Sequence, residues 1–143
     1  IKKLDFHFFN QTGIESNQYE ILSNKIRDLI LKKQPDLILT HDENDTNQEH
    51  RILNNIVLTA ARRLKISILK FCSPSSSQEF SPNIYVDISK FYKKKVRFLK
   101  EHKSQSHHDY FSEEYLDIFH KSRYSKIHSL KYVEQFKLEK LII

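Results

Sequence analysis

Residues 36–64 read "DLILTHDENDTNQEHRILNNIVLTAARRL", two periodic segments joined by a polar one. "DLILT" (36–40) is a short continuous apolar run bounded by turn residues, the pattern of a central parallel strand. Leu53, Ile56, Val57, Ala60 and Leu64 then recur at three- and four-residue steps, which predicts a helix from about Gln48 to Leu64. A strand that passes through one loop into a helix is the unit of layered α/β folds. The joining loop holds His41, His50 and a run of acids and amides, with no glycine.

The pattern continues on both sides. Tyr19, Leu22, Ile26, Leu29 and Ile30 predict an amphipathic helix over 18–33, ended by Pro35. "LDFHFF" (4–9) reads as a short strand, followed by a turn at Gly13, the chain's one glycine. Strands are expected at "ISILKFC" (66–72) and "IYVDIS" (84–89), separated by the loop "SPSSSQEFSPN" (73–83). A helix over about 90–102 would turn Tyr92, Val96 and Leu99 inward. Ser112 is placed to cap a last helix with Glu113 and Glu114 in its first turn. "YVEQFKLEKLI" (132–142) closes the chain as a strand. This alternation predicts one Rossmann-like α/β layered sandwich over 1–143 with a mostly parallel sheet. Ligands bind such sheets at the carboxyl ends of the strands, where the loop after "DLILT" begins.

Composition bounds the function. The chain has 143 residues, enough for one domain with a core, and a formal charge of +6. Its lysines are spread along helices and the last strand, as on solvated faces; a basic nucleic-acid-binding module is the lesser reading. There is no apolar run long enough to span a membrane. The single cysteine, Cys72, fits a reducing, cytoplasmic setting. The chain has no methionine and begins at Ile1, as a stretch of a longer protein would.

Histidine is a common ligand of catalytic metals and carboxylates complete many such sites. His41 falls at the strand end and His50 just inside the helix, so both could face one point across the loop. The plainer reading is that Asn47 or Asp45 caps the helix and His50 lies on the surface. In "HKSQSHHD" (102–109) the histidines follow a helix, and Cys72 reads as a quiet core thiol.

"PDLILTHDENDTNQEHR" (35–51) resembles the second metal motif of the PIG-L/LmbE family of zinc-dependent N-deacetylases. "SPNIYVDIS" with "KKKVRFLKEHKSQS" is similar to that family's strand, Asp-Ile-Ser, helix and Ser-Gln segment. "RYSKIHSLKYVEQF" is similar to its closing stretch. The resemblance implies that His50 is a zinc ligand and that Asn47 stands near the reacting carbonyl, as a hydrogen-bond donor with a catalytic role. It implies that His41 and Asp45 support the site or contact substrate. "PSSSQ" (74–78) resembles a family loop near the substrate mouth, and reads equally well as a plain turn.

The family's first motif, His-Pro-Asp-Asp, which supplies the other zinc ligands and the general base, has no counterpart here. The expectation is therefore an N-terminally incomplete deacetylase domain, its remaining zinc ligands upstream of Ile1 and the chain by itself inactive. The implied substrate is an N-acetylglucosamine-type sugar or conjugate, hydrolysed at its N-acetyl amide. The alternative is a non-catalytic remnant of the fold that binds a sugar or a protein partner.

Overall fold

The first helix, α1 (Tyr19–Lys33), ends where its sequence requires. Pro35 disfavours helical geometry at the residue before it. Gln34 leaves the helix with φ 46°, and its N–H donates to the Ile30 carbonyl at 2.8 Å. A left-handed residue there satisfies an otherwise orphaned carbonyl. The computed structural model describes residues 18–103, 107–121 and 130–143. The expected strand at 4–9 and the turn at Gly13 lie outside these residues.

The remaining elements follow the predicted order: β1 (Leu37–Thr40), α2 (Gln48–Ala61), β2 (Ser67–Phe71), β3 (Ile84–Asp87), α3 (Tyr92–Lys100), α4 (Glu113–His120) and β4 (Val133–Lys140). Among the described residues the sheet order is β1-β2-β4-β3. The layered α/β architecture is as expected, but the sheet is mixed. β1 and β2 are parallel, whereas β4 runs antiparallel to both β2 and β3. Sequence alternation suggests mostly parallel pairing. The closing segment instead enters between β2 and β3 in the opposite direction, a choice that apolar patterning does not encode.

β1 also departs from the interior strand expected. It is the edge strand of the described sheet, with Leu37 and Leu39 about half exposed. Its other face is covered: Ile38 lies in register with Ile68, and the core there is Ile30, Ala60, Ala61, Ile66 and Ile68. Each such buried side chain contributes roughly 1–3 kcal/mol by leaving water. Tyr19 joins α1 to α2 at its hydroxyl, which donates to the Asn55 carbonyl at 2.9 Å.

On the other side of the sheet α3 lies flatter than expected. Tyr92, Val96 and Leu99 are half-buried, and no residue of α3 is fully buried. Polar and aromatic contacts hold it. Lys95 pairs with Glu134 at 2.6 Å, and the Tyr92 ring stacks on Tyr132 at 3.7 Å. The Tyr132 hydroxyl in turn donates to Asp117 in α4 at 2.7 Å. Ser112 caps α4 as predicted, accepting from the Tyr115 N–H.

Charge enters the sheet itself. Lys70 and Lys137 are register partners on β2 and β4. Lys70 is 2% exposed and its ammonium lies 2.5 Å from Glu43 and 2.6 Å from Glu139. Lys137 lies 2.7 Å from Glu43 and 3.5 Å from the buried Asp42. Burial pushes the Glu43 carboxyl upward, but the hydrogen bonds from Lys137 and Lys70 outweigh it and hold the group at about 2. Lys140 closes α2, donating to the Ala61 and Leu64 carbonyls.

The burial is asymmetric, because the ammonium is inside and both carboxylates are partly in water. The double variant Glu43→Gln/Glu139→Gln leaves a buried cation unpaired and should cost about 3–5 kcal/mol. Lys70→Met leaves only solvated carboxylates and should cost about 1–2 kcal/mol. Urea denaturation at pH 7 checks the order; a larger loss for Lys70→Met overturns this account of the network.

Candidate metal centre

Because β1 and β2 are parallel neighbours, their carboxyl ends open side by side. The loop after β1 and the loop after β2 therefore meet. Asp45 and Ser76 form an isolated antiparallel bridge between them. The Thr46 N–H donates to the Ser75 carbonyl at 2.8 Å. Arg51, one turn into α2, reaches back and donates to the Asp45 and Thr46 carbonyls at 2.6 and 2.9 Å.

Asp45 is the centre of this junction. It is 2% exposed. Its Oδ1 accepts from the Asn47 N–H at 2.9 Å, and its Oδ2 accepts from the Ser73 hydroxyl at 2.8 Å. The Nδ1 atom of His50 lies 3.2 Å from the same Oδ2 and 3.2 Å from the Ser75 hydroxyl. Burial alone would raise the Asp45 carboxyl. The Asn47 N–H, the Ser75 and Ser73 hydroxyls and His50 together bring it below the usual carboxylate range. A carboxylate only accepts, so Nδ1 of His50 carries a proton, and Nε2 is the nitrogen left for a ligand.

His41 completes the group. Its ring stacks on that of His50 at 3.7 Å between centroids and 13° between planes, and lies against Phe71 at 4.6 Å. Its Nδ1 is buried and has no hydrogen-bond partner among the described residues. Burial, and after it the neighbouring His50, lowers its pKa, against a smaller opposing pull from Asp45. His41 is therefore a neutral imidazole near pH 7. His41, Asp45 and His50 offer ligand atoms that all lie within 4.8 Å of one another, and they could hold a metal ion.

The four residues singled out in the sequence are thus gathered at the carboxyl edge of the sheet, but Asn47 does a local job as well. Its side-chain oxygen caps α2, accepting from the Glu49 N–H at 2.9 Å. The amide nitrogen is not needed for that bond. Ser73 and Ser75, which the site needs to hold Asp45 and His50, read in the sequence only as part of a loop. The available signal is position: both follow the strand that pairs in parallel with β1. The His107 and His108 rings lie against each other at 4.0 Å, and neither belongs to a metal-ligand group among the described residues. Cys72 is a free thiol whose pKa burial raises, which leaves it protonated and a poor nucleophile.

No family model matches the sequence, and no curated protein sequence does. Similar solved structures do exist. GalB, the 4-carboxy-2-hydroxymuconate hydratase from Pseudomonas putida, superposes with a TM-score of 0.72 at 15% identity, covering 94% of this chain and 62% of its own. The conserved protein TT1542 from Thermus thermophilus superposes with a TM-score of 0.63 at 14% identity, covering 90% and 61%. Both superpose over nearly all of the present chain, which shares their α/β fold. The chain spans about three-fifths of the length of either structure. No helix among the described residues is long and apolar enough to cross a membrane.

Asn47→Ala removes the cap and should lower stability by about 1 kcal/mol, whereas Asn47→Ser, which can still accept from the helix, should lower it by less than half of that. Thermal denaturation of both variants checks this. Equal losses would show that the oxygen does not cap.

Proposed function

We propose that this chain is the site-bearing part of a zinc-dependent hydrolase that cleaves the N-acetyl amide of an amino sugar or its conjugate, acting within a longer protein. The observation that carries the reading is the pairing of His50 Nδ1 with the buried Asp45 carboxylate. A carboxylate on one ring nitrogen fixes the tautomer and raises the donor strength of the other, the arrangement found behind metal-bound histidines. The donor types also fit: imidazole nitrogens suit zinc, and a buried carboxylate stands behind one of them. Ligand atoms on a tetrahedral zinc sit roughly 3.3 Å apart. The three candidate groups here lie within 4.8 Å of one another.

His50 would take the metal through Nε2, with His41 offering the second nitrogen. Asp45 orients His50 from behind, through Nδ1. Zinc bound there would supply Lewis acidity toward the acyl carbonyl and an acidified water. Asn47 serves the reaction through its amide N–H, donating to the oxygen on which charge develops. That role is compatible with the cap, because oxygen and nitrogen of the same amide do different work. Glu43 is held well below the usual carboxylate range by Lys137 and Lys70 and is a poor base, and Asp42 is engaged by Lys137. The proton-accepting carboxylate is therefore expected from the remainder of the protein, together with any further ligand.

A second reading keeps the site and changes the electrophile. One of the similar structures is named a hydratase. The same group could then direct water to an activated alkene instead of an amide.

Cobalt(II) titration followed by its visible absorbance should show binding by the 143-residue chain. His50→Ala and His41→Ala should abolish it, and Asp45→Asn should weaken it about 10- to 100-fold. In the longer protein, His50→Ala should abolish acetate release from N-acetylglucosamine derivatives. Asn47→Ala should lower turnover about 100-fold while metal affinity stays unchanged. Unchanged cobalt binding in His50→Ala would sink the metal reading. Acetate release that persists in excess chelator would sink the mechanism. Cobalt binding without acetate release, but with hydration of an unsaturated acid, selects the second reading.

A further inference from the structure

A cavity of about 180 Å³ is lined by residues of β1, β2, β4, α3 and α4. Leu39, Phe71, Phe119 and Phe136 form its apolar wall. Phe71 is shared with the metal centre, since its ring touches His41.

One polar group in the wall has work left undone. His120 lines the cavity and is 3% exposed. Its Nδ1 lies 3.0 Å from the Leu116 carbonyl, one turn back in α4. A carbonyl only accepts, so Nδ1 carries the proton. Burial, with Lys95 adding to it, lowers the ring's pKa, so the imidazole is neutral. Nε2 is then a lone-pair acceptor on the ring edge turned away from its own helix. It is buried and has no partner among the described residues. Leaving such an acceptor unmet is costly, and buried polar atoms as a rule find donors.

The remaining wall decides what donor is suitable. Lys95, Glu134, Gln135 and Cys72 also line the cavity, and the two charged groups among them hold each other at 2.6 Å. Their charges cancel, so nothing here calls for an ionic ligand. An apolar cavity of about 150 Å³ is large enough for benzene. Three phenylalanine rings favour a flat aromatic guest through edge and offset contacts.

We propose that this cavity is a binding site for a small uncharged phenol, whose ring packs among Phe71, Phe119 and Phe136 and whose hydroxyl donates to His120 Nε2. The site stands apart from metal binding and does not depend on it.

The test is a titration of the 143-residue chain with phenol and, separately, toluene, with and without chelator. The nitrogen chemical shifts of the His120 ring and the backbone amide shifts of the cavity wall are the readouts. Both ligands should saturate at the wall, phenol about three- to tenfold more tightly, as one hydrogen bond allows. Only phenol should move Nε2, and chelator should change nothing. In His120→Phe the preference for phenol should vanish. The proposal is overturned if neither ligand gives a saturable response at the wall, if the two bind equally with Nε2 unmoved, or if phenol's shifts map elsewhere. The comparison of the two ligands in the unaltered chain decides the matter even if His120→Phe does not fold.

Discussion

The buried carboxylate of Asp45 is the point on which the site depends. Its two oxygens receive the Asn47 backbone, the Ser73 hydroxyl and the His50 ring. Those three groups come from the start of one helix and from the loop after the neighbouring strand. A buried anion is tolerated only where donors surround it. The requirement for donors therefore draws two loops together, sets the first turn of α2, and fixes which nitrogen of His50 faces outward. Arg51 supports the same junction from behind by holding the loop's carbonyls.

A second group of charges lies within the sheet. Two lysines stand opposite each other on β2 and β4, an arrangement that by itself repels. Glu43, Glu139 and Asp42 answer them from β4 and from the loop after β1. That ties the loop bearing His41 and Asp45 to the antiparallel half of the sheet. The candidate metal site is thus clamped by one carboxylate from the helix side and by an ion network from the sheet side. Rigid support of this kind is what a ligand site needs for well-placed donors.

The face away from α2 is built differently. It relies on stacked Tyr92 and Tyr132, on Lys95 with Glu134, and on the aromatic wall that Phe71 shares with His41. The looser packing of α3 leaves a cavity where a fully packed core would have none. His120, unremarkable in the sequence at the end of an eight-residue helix, becomes notable only because its Nε2 is buried there.

Local order was legible in the sequence. The 3.6-residue period located α1 and α2, Pro35 marked the end of α1, and Ser112 marked the start of α4, since each depends on neighbours within a few residues. The convergence of His41, Asp45, Asn47 and His50 followed from a strand, a loop and a helix in immediate succession. Tertiary structure decided the rest. The direction of β4, and with it the mixed character of the sheet, depends on hydrogen bonds between segments more than sixty residues apart. The pairing of Lys70 with Glu139 depends on the same strands, and the arrival of Ser73 and Ser75 beside the site depends on the pairing of β1 with β2. An apolar pattern states which face of a strand is buried; it does not state which strand lies beside it or which way that neighbour runs.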